Sequence, residues 1–158
     1  MSDTPDEALH AAGYRCGNPA CRAPLTLDTH QLVALGGDGS GGAICLCAGC
    51  HAMQSSGAIP VRTLRAWKLV QQSLTGAFGA GAPDTLLLLR VVDEVSVDGD
   101  GLLRSAGLLN SGLLEIRQRV SALVSGQGSD TFKLRLSTKG RQFVEAWING
   151  RQGSDTSL

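Results

Sequence analysis

The chain has 158 residues, enough for one or two small domains but too few for either half to build a large core unaided. Its 14 basic and 14 acidic residues give zero formal charge at pH 7, and 42% of it is hydrophobic, which excludes a wholesale basic coat for nucleic acid and a disordered acidic chain. No apolar run approaches the roughly 18 residues that a bilayer span requires, so no membrane partner is expected.

Residues 1–13 carry three acidic side chains and no Lys or Arg before Arg15, the opposite of a targeting segment, so a cytoplasmic location is expected. Their weak periodicity predicts a disordered N-terminus with His10 exposed. Order is expected to begin at Tyr14. Cys16 and Cys21 form a C-x4-C pair, Cys47 and Cys50 a C-x2-C pair, and 25 residues separate the pairs. Each pair offers two thiolates from one turn, and a loop of that length lets the turns meet, which predicts a closed four-cysteine zinc site. The pairing reads as thiolates on a metal in a reducing compartment rather than as disulfides. Cys45 is the odd thiol and is expected to be a small buried hydrophobe.

Within this stretch, Gly17, Asn18 and Pro19 favour a tight turn between the first two cysteines. Residues 23–29 read as a strand, residues 30–35 as a second, residues 36–42 as a glycine-rich loop and residues 44–47 as a short apolar run. The CAGCHAM segment then opens a helix with Cys50 and His51 in its first turn. Pro60 suits the first turn of a further helix to about residue 74, with Val61, Leu64, Trp67 or Leu69, Val70 and Leu74 near helical spacing. Its other face carries Arg62, Arg65 and Lys68, either a solvated face or a ridge that touches phosphates.

Residues 75–83 are small, glycine-rich and end in proline, and are expected to be a linker after a domain of residues 14–74. A second domain is expected over residues 84–150. It opens with a helix apolar almost all round, capped by Asp84 and therefore buried. Residues 97–101 form a turn and residues 102–109 a short helix. Leu109, Leu113, Ile116, Val120 and Leu123 then recur at helical spacing and predict an amphipathic helix. TFKLRLS alternates as a strand, Thr138 starts a last helix, and residues 151–158 are expected to be disordered.

Helices, a hairpin-like strand and a closing helix resemble the order of a winged-helix domain, and LRLSTKGRQFVEAW looks like the wing strand and following helix of winged-helix regulators. From Arg104 onward there are eight basic and four acidic residues, against one and five from Asp84 to Leu103. Arg119, Lys133, Arg135, Lys139 and Arg141 are candidate nucleic-acid contacts. Protein binding through the same unit, to a partner subunit, is an equal alternative.

The arrangement C-x4-C, a segment ending in His30, a GG-containing loop and an apolar run into C-x2-C-H resembles the HNH endonuclease family over residues 14–70. The IPVRTLRAWK segment extends that resemblance. It implies an α+β architecture: a ββα-metal finger stabilised by zinc on Cys16, Cys21, Cys47 and Cys50, followed by the mostly helical winged-helix-like unit. It further implies His30 as general base and His51 as ligand of a catalytic divalent ion such as Mg2+ or Mn2+, with DNA as substrate. A histidine titrating near neutrality can deprotonate a water for in-line attack on phosphorus. Two departures stand out. Thr29 occupies a position where a metal-ligating Asp or His is common, leaving Asp28 as a possible substitute, and Gly42 stands in place of the asparagine. The expected function is therefore an HNH-type endonuclease or nuclease subunit, in phage defence or mobile-element biology. The alternative is a catalytically degenerate, zinc-stabilised accessory subunit that binds DNA or protein.

Overall fold

The computed structural model describes residues 4–36, 42–124 and 127–150. Its architecture is α+β, and the chain divides into two compact units, Met1–Gln72 with Ala146–Ser157, and Ser73–Glu145. Among the described residues no helix is long and apolar enough to cross a membrane.

The first unit begins with helix α1 (Pro5–Ala11), which corrects the expectation of a disordered N-terminus. The signal is local. Thr4 Oγ1 accepts the Glu7 backbone N–H while the Glu7 carboxylate accepts that of Thr4, and Pro5 opens the helix. Ala8, Leu9 and Ala12 bury its inner face. Residues 23–29 are not a strand either. Only an isolated bridge joins Arg15 to Pro24, and residues 26–30 form a turn closed by the Thr29 and His30 amides on Thr26 O. Strands β1 (Gln31–Ala34) and β2 (Ala43–Leu46) follow as an antiparallel hairpin, Gln31 opposite Leu46 and Ala34 opposite Ala43. Helix α2 (Ala48–Ser55) starts one residue after β2, with Cys47 as its N-cap. Helix α3 (Val61–Phe78) buries Leu64 and Trp67, while Leu69 is 57% exposed, so Trp67 is the inward residue of the two candidates. The core of this unit holds Leu9, Leu35, Leu46, Leu64 and Trp147, each at most 1% exposed. The Trp67 indole donates to Ile148 O at 3.1 Å.

The second unit takes up where residues 75–83 were expected to be a linker. Instead Thr75–Phe78 complete α3, a turn follows at Gly79 (φ +92°), and α4 spans Ala82–Val92. Small residues such as Ala77 continue a helix as readily as they make a linker, and only the left-handed glycine stops it. Helix α4 buries Leu86 and Leu89 but leaves Leu88, Val91 and Val92 at 51%, 75% and 44% exposure, so it is apolar all round without being buried all round. Strand β3 (Glu94–Val97), α5 (Gly99–Arg104) and α6 (Ala106–Asn110) lead into a long hairpin of β4 (Leu114–Val124) and β5 (Gln127–Leu136), and α7 (Thr138–Ile148) is the last of the described helices. The sheet is antiparallel in the order β3-β5-β4.

Strand β4 replaces the amphipathic helix expected there. A register shift between Ile116 and Gln118 inserts an extra residue into the strand and offsets its alternation. The repeat counted across this stretch joins different elements: Leu109 lies in α6, Leu113 precedes β4, and Ile116 and Val120 within β4 are 48% and 36% exposed, so the intervals of three and four do not mark one buried face. Leu114, Leu134 and Leu136 are buried, and Val144 from α7 is fully buried. Ser137 caps α7 by accepting the Gly140 N–H at 2.9 Å.

Gly140 packs directly on the chain before β4: an added Cβ would lie 2.0 Å from Leu113 O and 3.0 Å from Leu113 C. Gly140→Ala is therefore expected to destabilise the protein by at least about 2 kcal/mol, whereas Gly99→Ala, whose Cβ meets nothing within 4 Å, stays within about 0.5 kcal/mol. Denaturant unfolding of both variants checks the difference.

Candidate metal centre

Four sulfurs meet where the hairpin enters α2. The segment before β1 makes the first half. Cys16 N donates to Ala23 O and Leu25 N to Tyr14 O, each at 2.8 Å, so the chain runs out and back and carries the C-x4-C turn at its tip. Asn18 organises that tip. Its side-chain Oδ1 accepts the Ala20 N–H at 2.9 Å, and its carbonyl accepts the amides of Cys21 and Arg22 at 3.0 Å. Arg22, the residue after the second cysteine, adopts φ +49° and donates from Nη1 to Cys16 O. The expected turn at Gly17, Asn18 and Pro19 is thus present.

The second half comes from β2 and α2. Leu46 is fully buried and fixes the strand, and Cys47 then turns the chain into the helix with its Sγ accepting the Cys50 N–H at 3.5 Å. Gly17 ties the halves together by donating to Cys45 O at 2.8 Å. A Cβ at Gly17 would fall 2.5 Å from Ile44 Cγ1, so the close approach of the two segments requires glycine there.

The result places Cys16, Cys21, Cys47 and Cys50 with their sulfurs all within 4.8 Å of one another, and Cys21 Sγ lies 3.8 Å from Cys47 Sγ. A tetrahedral ion with bonds of about 2.3 Å to sulfur separates its ligands by about 3.8 Å, so the set is sized for a metal such as zinc. All four are free thiols. Burial pushes the Cys16 thiol upward and that of Cys50 up to about 11, whereas the Cys50 backbone N–H lowers Cys47. Buried neutral thiols become thiolates only when a cation compensates their charge, which is the chemistry a metal supplies. Three sulfurs receive N–H donors: Cys16 from Cys47 N at 3.4 Å, Cys47 from Cys50 N, and Cys50 from the Asn18 side-chain amide at 3.3 Å. Sequence reasoning had used Asn18 only as a turn residue and missed this bond.

Cys45 is 1% exposed, with its thiol pushed up to about 11 by burial, and it stays outside the group. The two histidines flank the same end of the hairpin. His30 directly precedes Gln31, the partner of Leu46, and His51 stands in the first turns of α2, its N–H bonded to Cys47 O. Both are half-buried, and His30 Nδ1 lies 3.1 Å from Thr26 O. Thr29 turns its hydroxyl to Thr26, accepting that residue's N–H at 2.9 Å, and Asp28 is exposed in the same turn. Among the described residues, the four cysteines alone form a group of three or more metal-ligand side chains. Asp38, in the glycine-rich loop, lies outside the described residues.

The basic candidates fall into two sets. Arg62 and Arg65 are exposed on α3, with Arg65 Nε donating to Leu35 O, while Lys68 is half-buried beside a cavity of about 80 Å³ lined also by Glu7, Ile44, Cys45 and Gln71. In the second unit each candidate arginine faces a carboxylate: Arg119 pairs with Asp130, Arg135 with Glu115 and Arg141 with Asp93. Lys133 pairs with Glu94 at 3.0 Å, and Lys139 donates to Ser111 O at 3.2 Å. A phosphate would have to displace these partners, although exposed pairs of this kind are worth only about 0–1 kcal/mol each.

No protein-family model matches the chain, and no curated protein or solved structure is significantly similar to it.

Asn18→Asp keeps the turn-forming oxygen but loses the N–H donor to Cys50. It is expected to weaken metal binding by about tenfold or more, read by competition with a chelator of known affinity. Unchanged affinity would mean that the amide serves the turn alone.

Proposed function

We propose that the four-cysteine group is a structural zinc site and that the chain is an HNH-type endonuclease, or the nuclease subunit of a larger assembly, that hydrolyses DNA phosphodiester bonds. One observation carries this reading: an antiparallel hairpin and a helix close a four-sulfur site while His30 and His51 stand at the same end of that hairpin. A four-thiolate zinc has no open position and serves only to hold the finger. His30 takes the role of general base, with Thr26 O beside Nδ1 favouring the Nδ1–H tautomer and leaving Nε2 as the nitrogen to accept a proton from water. His51, with Asp28 as a second candidate ligand, holds the divalent ion. A Mg2+ or Mn2+ ion held there would offset negative charge on the scissile phosphate and the leaving oxygen.

In the second unit, the order α4-β3-α5-α6-β4-β5-α7 and the sheet order β3-β5-β4 support a winged-helix-like reading, with the β4-β5 hairpin as wing. Its role is contact with DNA or with a partner subunit, in phage defence or on a mobile element.

A second reading is favoured by the turn at Thr26–Thr29. The Thr29 hydroxyl is spent within the turn, and the described residues bring no three-ligand set to the histidines. On that reading the finger is catalytically degenerate and the chain is an accessory binding subunit.

Divalent-ion-dependent cleavage of duplex DNA distinguishes the two. The nuclease reading predicts cleavage that falls by at least about 100-fold in His30→Ala. Equal cleavage by that variant contradicts His30 as the base. Salt-sensitive DNA binding without turnover in any of Mg2+, Mn2+ or Ni2+ establishes the accessory reading instead.

A further inference from the structure

The four thiols of the metal centre are not equivalent. Cys16 and Cys50 are 0% and 5% exposed, and Cys47 is half-buried at the start of α2, whereas Cys21 is exposed at the tip of the C-x4-C turn. The N–H donors divide the same way. Cys16, Cys47 and Cys50 each accept one at 3.3–3.5 Å, and among the described residues Cys21 accepts none. An N–H donor draws charge from a thiolate and makes it a poorer nucleophile, and burial denies it a reaction partner. Both effects leave Cys21 as the reactive ligand. Cys47, the half-buried ligand, has its Sγ 3.8 Å from Cys21 Sγ, against a disulfide bond length of about 2.05 Å.

We infer that Cys21 is a modification site at which a hydroperoxide attacks the metal centre, with Cys47 as the resolving thiolate and metal release as the result. The inference rests on the zinc reading above. In the first step the Cys21 thiolate takes an oxygen from the hydroperoxide: an S–O bond forms, the O–O bond breaks, and hydroxide (or alkoxide) leaves, giving a sulfenic acid. Cys47 thiolate then attacks Cys21 sulfur, the S–S bond forms, and the S–O bond breaks with loss of a second hydroxide. Two thiolates have given up one electron each and the peroxide has taken both. The ion retains only Cys16 and Cys50 and is released, because two thiolates cannot hold it against water and chelators. Cys45, 1% exposed and outside the group, takes no part.

The test uses the full chain as purified, with zinc content measured first and substoichiometric hydrogen peroxide then added. Zinc release is followed with a chromophoric chelator, and the first disulfide is mapped by thiol blocking and mass spectrometry. A Cys21–Cys47 disulfide formed in step with zinc release is the expected result. Cys21→His keeps four ligand atoms but removes the attacking thiol, and is expected to release zinc at least about tenfold more slowly. If that variant fails to load zinc, the wild-type disulfide map decides. A zinc-loaded chain whose first disulfide joins another pair, or a loaded Cys21→His that releases zinc at the wild-type rate, overturns the inference alone. A chain purified under reducing conditions without zinc overturns the zinc reading and the inference together.

Discussion

The hydrogen bond from Gly17 N to Cys45 O, 2.8 Å long, sets the geometry of the first unit. It joins the segment that bears Cys16 and Cys21 to the strand that delivers Cys47 and Cys50, across a separation of 25 residues in sequence. Closing such a loop costs chain entropy, and a unit of this size has a limited apolar core to offset it. The bond is possible because position 17 has no side chain and Ile44 can pack over it. From that strut follow the enclosure of the sulfurs and the entry of α2. Burial raises the Cys16 and Cys50 thiols, so their ionisation calls for a compensating cation and folding and metal binding are linked.

Legibility in the sequence followed the range of the interactions. Cysteine spacing, the turn residues at Gly17–Pro19, the β2 run and the start of α2 are local, and the chain states them directly. The four-cysteine group is accordingly where the spacing put it. α1 was equally local but overlooked, since Thr4, Pro5 and Glu7 spell a capped helix that low apolar periodicity concealed. β4 was illegible for a different reason. Its strand state is imposed by pairing with β5, and the apparent helical repeat comes from counting Leu109 of α6 and Leu113 together with residues of the strand. Asn18 Nδ2 on Cys50 Sγ is a bond between residues 32 apart, which no local pattern announces.

Charge shows the same limit. The sequence places a basic excess from Arg104 onward, and the fold spends much of it internally: Arg117 and Lys133 share Glu94, and Arg119 stacks 6.0 Å over Phe132 while paired with Asp130. A count of lysines and arginines cannot see such pairing because carboxylates distant in sequence supply it. On α3, by contrast, Arg62 is exposed.

The account depends on four sulfurs around one ion, and X-ray absorption at the zinc edge of the purified chain measures that environment directly. It predicts one zinc per chain surrounded by four sulfur neighbours at about 2.3 Å, with no nitrogen or oxygen in the first shell. A chain without bound metal, or a zinc ligated by histidine nitrogen in place of any of the four cysteines, would contradict it.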